Sequence, residues 1–144
     1  MSEPTVLKRP ASTSHTTLQP EGWPKPRGYS NGIRARGDFV FVGGVVGWDE
    51  KEQFPEGFVP QAKQLFRNIL AVLTEGGATP ADMVRMTWYV VDMEEYLASR
   101  SGLGKAYREV FGDHYPAMAL VEVGRLAEPK ARLEIETTAV VPAK

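Results

Sequence analysis

Few side chains in this sequence are equipped for chemistry, and that scarcity narrows what it can do. There is no cysteine, so thiolate nucleophiles, thiolate metal sites and disulfides are all excluded. Only two histidines occur, His15 and His114, too few for a histidine-rich metal centre. The informative groups are acids set among apolar residues. Glu134 lies in "ARLEIETTAVV" and Glu122 in "AMALVEVGRL". A carboxylate withdrawn from water costs several kcal/mol unless it is paired or protonated. Such a group is suited to accept or return a proton, for instance by activating a water. For Glu134 the plainer alternative is an ion pair with Arg125 or Arg132 at a subunit contact. Glu122 reads as a structural acid. His114 stands beside Tyr115 before an apolar strand, where it is either a proton donor at a cleft mouth or an ordinary loop residue. Gly43-Gly44, inside a strand pattern, signals a bulge or a close approach of backbone to a ligand. Trp48 and Trp88 offer flat surfaces for a planar ligand. Trp88 falls in a strand and is expected to pack the sheet, which leaves Trp48, in a loop after Gly47, as the better candidate.

Several familiar arrangements are missing: a phosphate-binding glycine loop, a Gly-x-Ser-x-Gly elbow and a His-Glu-x-x-His pair. With 17 basic and 18 acidic residues the formal net charge is −1. No cationic excess exists to neutralise phosphates, so nucleic acid is not an expected partner. No apolar run approaches the ~20 residues of a membrane span, and the first 32 residues lack the apolar core of a signal peptide, so the cytosol is the expected compartment.

The elements that must position these groups read as follows. "YSNGIRARGDFVFVGGVVGW" gives two strands with a hairpin turn at Arg36-Gly37-Asp38, a better account of that tripeptide than an adhesion motif. Arg34 and Arg36 alternate with apolar residues on the first strand and read as a solvated face, or as a displaced anion clamp. After a polar loop, Phe58, Ala62, Leu65, Phe66, Ile69, Val72 and Leu73 recur at helical spacing, and Gly76-Gly77 ends the helix. Thr79-Pro80 opens a short capped turn. "MVRMTWYVVDM" is a buried strand. "EEYLASRSGLGKAYREVF" is a second helix with Tyr96, Leu103, Tyr107, Val110 and Phe111 inward and with Gly102 and Gly104 weakening its middle. Two strands close the chain. In the first, alternation sets Met118, Leu120 and Glu122 on one face and Ala117, Ala119 and Val121 on the other.

The resulting ββαβαββ order predicts an α+β domain, a mixed sheet with two helices on one face. The other sheet face then needs cover, for which a second subunit is the expected source. Residues 28–144 form the domain. Residues 1–27, rich in Pro, Ser and Thr, are expected to be an extended arm on the surface or on a neighbour, pinned only around "GWPKP".

"YSNGI", "GDFVFVGG", "QAKQLFRNILAVLTEGGATPADMVRMTWYVVDM", "AYREVF", "YPAMALVEVGRL" and "LEIETTAVV" together resemble the RidA/YjgF family, also called the L-PSP endoribonuclease family. The order and spacing of the stretches carry the likeness, from Tyr29 to Val141. The resemblance implies a chorismate-mutase-like fold, a homotrimer with ligand clefts between subunits, and cofactor-free hydrolysis of reactive enamines and imines. It implies that Tyr29 reaches the cleft and that Glu134 holds a water or polarises the substrate. It also exposes departures. Met118 stands where the family has a carboxylate-binding arginine, Leu120 replaces a strand cysteine, Gly43-Gly44 replaces Ser-Gly, and Gly104 replaces an asparagine. The expected site is therefore altered: Tyr29, Gly43, Gly44, Met118 and Leu120 around the ligand, with Trp48 and His114 at its margin and Glu134 as the catalytic group. Met118 and Leu120 either make an apolar cleft wall or simply fill the subunit core. With the arginine clamp gone, little hydrolysis of 2-iminopropionate is expected. A ligand-binding trimer without catalysis is the alternative, and a ribonuclease is disfavoured by the charge.

Overall fold

A computed structural model describes residues 15–143; the first fourteen residues of the expected arm lie outside it. Strands β1 (Thr16–Leu18) and β2 (Gly32–Arg34) pair antiparallel as a small separate ribbon. The main sheet holds β3 (Gly37–Val46), β4 (Met83–Val90), β5 (Ala117–Glu122) and β6 (Leu133–Pro142) in the order β3-β6-β4-β5. Only the β4–β5 pair is parallel, so the sheet is mixed. The expected hairpin at Arg36-Gly37-Asp38 is corrected here. The segment before it pairs with β1, and β3 pairs with β6, so these two strands are not partners. Gly37 is required for a different reason. Its φ is +152° and a Cβ there would stand 1.9 Å from the Val141 carbonyl oxygen.

Helix α1 (Phe58–Glu75) lies on one face of the sheet, and the expected second helix is two pieces, α2 (Met93–Ala98) and α3 (Arg100–Phe111), broken at Ser99. The periodic residues of α1 explain its placement: Ala62, Leu65, Phe66, Ile69 and Leu73 are fully buried against the sheet. Val72 departs from that stripe and is 39% exposed. Gly76 caps the helix and Gly77, at φ +77°, turns the chain out of it. The Asp82 carboxylate accepts hydrogen bonds from Thr79 N (2.9 Å) and Thr79 Oγ1 (3.2 Å), which fixes the short turn before β4. Phe66 is the centre of the core, in ring contact with Trp88, Tyr107 and Phe111.

No helix among the described residues covers the opposite sheet face. Its β3 edge is apolar, with Phe39 61% and Phe41 72% exposed. Its middle is polar: Arg85, Thr87 and Tyr89 alternate with buried residues along β4, as Glu134, Glu136 and Thr138 do along β6. The strands are thus not apolar on both faces, as the sequence suggested. Among the described residues, no helix is long and apolar enough to cross a membrane.

Candidate functional site

The expected site residues separate into two groups on opposite faces of the sheet. On the helix face, β5 and α3 enclose a cavity of about 370 Å³. Met118 and Leu120 form its sheet side, opposite Met86 and Trp88 of β4 in the parallel pairing. Tyr29 reaches the same cavity, because Ser30 clips its segment to the mouth of β5. Ser30 N donates to the Pro116 carbonyl (3.0 Å), Ser30 Oγ donates to the Tyr115 carbonyl, and Ser30 bridges to Ala117. The remaining wall is aromatic. Tyr107 and Tyr115 stack at 5.0 Å, and Trp88 meets Tyr96 edge-on at 6.1 Å. Burial holds the Tyr107 phenol well above the ordinary tyrosine range, and its hydroxyl donates to the His114 carbonyl at 2.7 Å. Tyr107 is therefore a neutral support of the wall.

On the open face, Glu134 and Gly44 line a second hollow together with Arg125. A register shift between Val42 and Val45 places Gly43-Gly44 in a bulge. The two glycines have different tasks. A Cβ at Gly44 would stand 2.3 Å from Glu134 Oε2, whereas a Cβ at Gly43 would meet nothing within 4 Å. Gly44 makes the room that the carboxylate occupies. Glu134 is half-buried, not sealed among apolar residues, since its strand neighbours on this face are the polar Glu136 and Thr138. Tyr89 donates to Glu136, which raises the Tyr89 phenol above its usual value. Among the described residues Glu134 has no hydrogen-bond or ion-pair partner. Arg132, one of its two expected alternatives, is paired instead with Glu95 through Nε at 2.6 Å.

The marginal candidates stand apart from both hollows. Trp48 packs against Phe54 at 5.7 Å in the loop after β3, and its carbonyl accepts from Asn68 Nδ2. His114 Nε2 lies 2.7 Å from the Met83 carbonyl, which anchors the loop before β5. Glu122 accepts from Met93 N at 2.8 Å, at the start of α2, a structural task. Among the described residues no cluster of three or more His, Cys, Asp or Glu could hold a metal ion.

Three cavity residues escaped the sequence reading: Arg27, Arg100 and Arg108. The last two flank Gly104 at one-turn spacing, a signal in the sequence that points to this face of the helix.

Comparison with known proteins identifies the scaffold. Residues 24–141 match the family model described as Endoribonuclease L-PSP. A RutC family protein of Pyrococcus horikoshii is 35% identical over 122 residues, 83% of this chain and 92% of that protein. TdcF of Escherichia coli, provisionally named a reactive intermediate deaminase, is 27% identical over 108 residues, 72% of this chain and 80% of its own length. Among solved structures, YyfB of Yersinia pestis, a Rid family protein of unknown function, superposes with a TM-score of 0.78 at 28% identity, covering 89% of this chain and 99% of that one.

Proposed function

This chain belongs to the L-PSP endoribonuclease family, the RidA/YjgF group, and from that premise we propose that it is a cytosolic, cofactor-free deaminase working at the boundaries of a homotrimer. One observation carries the reading. The Tyr29–Met118–Leu120 cavity and the Gly44–Glu134 hollow lie on opposite faces of one sheet, so a single chain cannot bring them to one ligand. Neighbouring copies packed through the bare sheet face can, with the cavity of one chain facing the hollow of the next. Exposed Phe39 and Phe41 supply apolar area for such a contact.

The substrate is a small unsaturated nitrogen compound, an enamine or imine or an aminomuconate-like ring-cleavage product. The imine carbon accepts a water held by Glu134, which takes one proton as the C–O bond forms. The nitrogen takes that proton and then, relayed by Glu134, the proton of the carbinolamine hydroxyl, and collapse of the carbinolamine breaks the C–N bond. Ammonia leaves and a carbonyl remains, with Glu134 again ionised. The carboxylate supports this role, because no hydrogen-bond or ion-pair partner among the described residues competes for its lone pairs. Backbone around Gly43-Gly44 contacts the substrate.

Met118 and Leu120 favour a second reading, a ligand-binding trimer without turnover. The two are separated by following ammonia and carbonyl release from a panel of imines and enamines, with an RNA included. Turnover of a panel member that falls about a hundredfold or more in Glu134→Gln supports hydrolysis. Unchanged turnover in that variant overturns the role of Glu134, and binding without release from any member favours the second reading. The three-carbon 2-iminopropionate is expected to be a poor substrate, because Met118 offers its carboxylate no clamp.

A further inference from the structure

The helix-face cavity has charge that the hydrolytic reading leaves unused. Arg100, Gly104 and Arg108 share one face of α3, and that face lines the cavity. Arg27 lines it from the segment preceding Tyr29. Among the described residues none of these arginines takes part in an ion pair. Guanidinium groups gathered at an aromatic-walled cavity, with no acid to answer them, favour an anion, and their paired N–H donors match a carboxylate.

We propose that Arg108, assisted by Arg100, is the anion-binding group of this cavity, and that the ligand is a carboxylate with a flat apolar body larger than a three-carbon acid. Gly104 gives the guanidinium room: a Cβ at position 104 would stand 3.2 Å from Arg108 Nη1, a tight contact that the flexible end of the side chain would relieve by shifting a few tenths of an ångström. The clamp sits on the helix and not on β5, and the distance between them is filled by the ligand's body. Met118 and Leu120 give that body an apolar floor, and Tyr96, Tyr107 and Tyr115 give it ring surfaces. Trp88 also lines the cavity at 6% exposure, with its indole N–H buried and without an acceptor among the described residues. The assignment rests on the proposed deamination for its catalytic meaning, but binding tests it separately.

The measurement is calorimetric titration of the intact protein with 3-phenylpropionate, propionate and the neutral 3-phenylpropionamide. The first is expected to bind, with propionate and the amide each about tenfold weaker or worse. Arg108→Ala is expected to weaken 3-phenylpropionate about tenfold to a hundredfold at unchanged oligomer mass. Arg108→Lys keeps a cation in the last turn of α3 but loses the fork, so it is expected to recover little of the affinity. Gly104→Ala is expected to weaken binding severalfold while raising Tm, a combination that general damage to the fold would not give. Equal binding of acid and amide overturns the proposal. So does an Arg108→Ala protein with lower Tm and unchanged binding, which assigns Arg108 to the helix dipole alone. Loss of binding together with a changed mass overturns it too, by making Arg108 a subunit contact. Charge-selective binding without turnover of any imine defeats the deamination and leaves the clamp standing; turnover without charge-selective binding does the reverse.

Discussion

The helix-face cavity and the open-face hollow are built by opposite means. The cavity is built by packing within one chain: its wall is a chain of ring contacts from Phe66 through Tyr107 to Tyr115, and Ser30 bonds its mouth to the Tyr115 carbonyl. The hollow is open, with half-exposed Glu134 in a space cleared by one glycine and with Tyr89, Arg125 and Glu136 around it. One half-site is a product of core packing, and the other is a polar group waiting for surroundings. In the proposed trimer, the cavity of a neighbour would supply the surroundings that Glu134 lacks.

The largest effect should come from denying the two halves to each other. Phe41→Asp puts a charge on a residue already 72% exposed, so the chain should fold, yet its mass by light scattering should fall to that of one chain and turnover should vanish with it. A wild-type protein that is already a single chain breaks the comparison outright. Next comes a mixing test. Leu120→Trp fills the cavity, Glu134→Gln disables the hollow, and each alone should be nearly inactive. Unfolding and refolding the two together should restore part of the activity if a site draws on two subunits. No recovery, with mixed trimers present by mass, places both halves' work within one chain.

A smaller effect should separate the paired glycines. Gly44→Ala pushes a Cβ against the flexible end of Glu134 and should cut turnover about tenfold with little change in Tm, an effect the size of one displaced hydrogen bond. Gly43→Ala meets open space and should do neither. The smallest effect concerns the packed half alone. Tyr107→Phe removes the bond to the His114 carbonyl and should cost about 1 kcal/mol at neutral pH. Burial raises the Tyr107 phenol in the folded state, so its contribution is whole below the unfolded tyrosine value near ~10 and is lost as pH rises towards the folded one. Alkaline unfolding should therefore move to higher pH in Tyr107→Phe, read by the tyrosinate absorbance.

Most of the fold was legible because its signals are local and periodic. Phe58 to Leu73 specify α1 by spacing alone, and Gly76-Gly77 stop it. Alternation in "AMALVE" put Met118 and Leu120 on one face, but which side that face takes is set by the pairing with Met86 and Trp88 of β4, which turns it towards the helices. The errors arose where a partner is distant in sequence. The segment before Gly37 looked like half of a hairpin, but its partner is Thr16–Leu18, in what read as a featureless arm. Glu134 looked sealed because the letters around it are apolar, yet those letters belong to the other face. Arg108 escaped the reading because its place beside Gly104 at the cavity is visible only when the cavity is assembled.

The bulge at Gly43-Gly44 has a consequence for handling the protein. β3 is the outermost strand on its side of the sheet, ten residues long, with two exposed phenylalanines. A flat strand of that kind would template the addition of strands from other molecules, the first step towards insoluble aggregates. The register shift between Val42 and Val45 kinks it and breaks the row of backbone groups a newcomer would need. The bulge in which Gly44 clears space for a carboxylate should thereby also protect solubility, and regularising β3 is expected to shorten the shelf life of the protein.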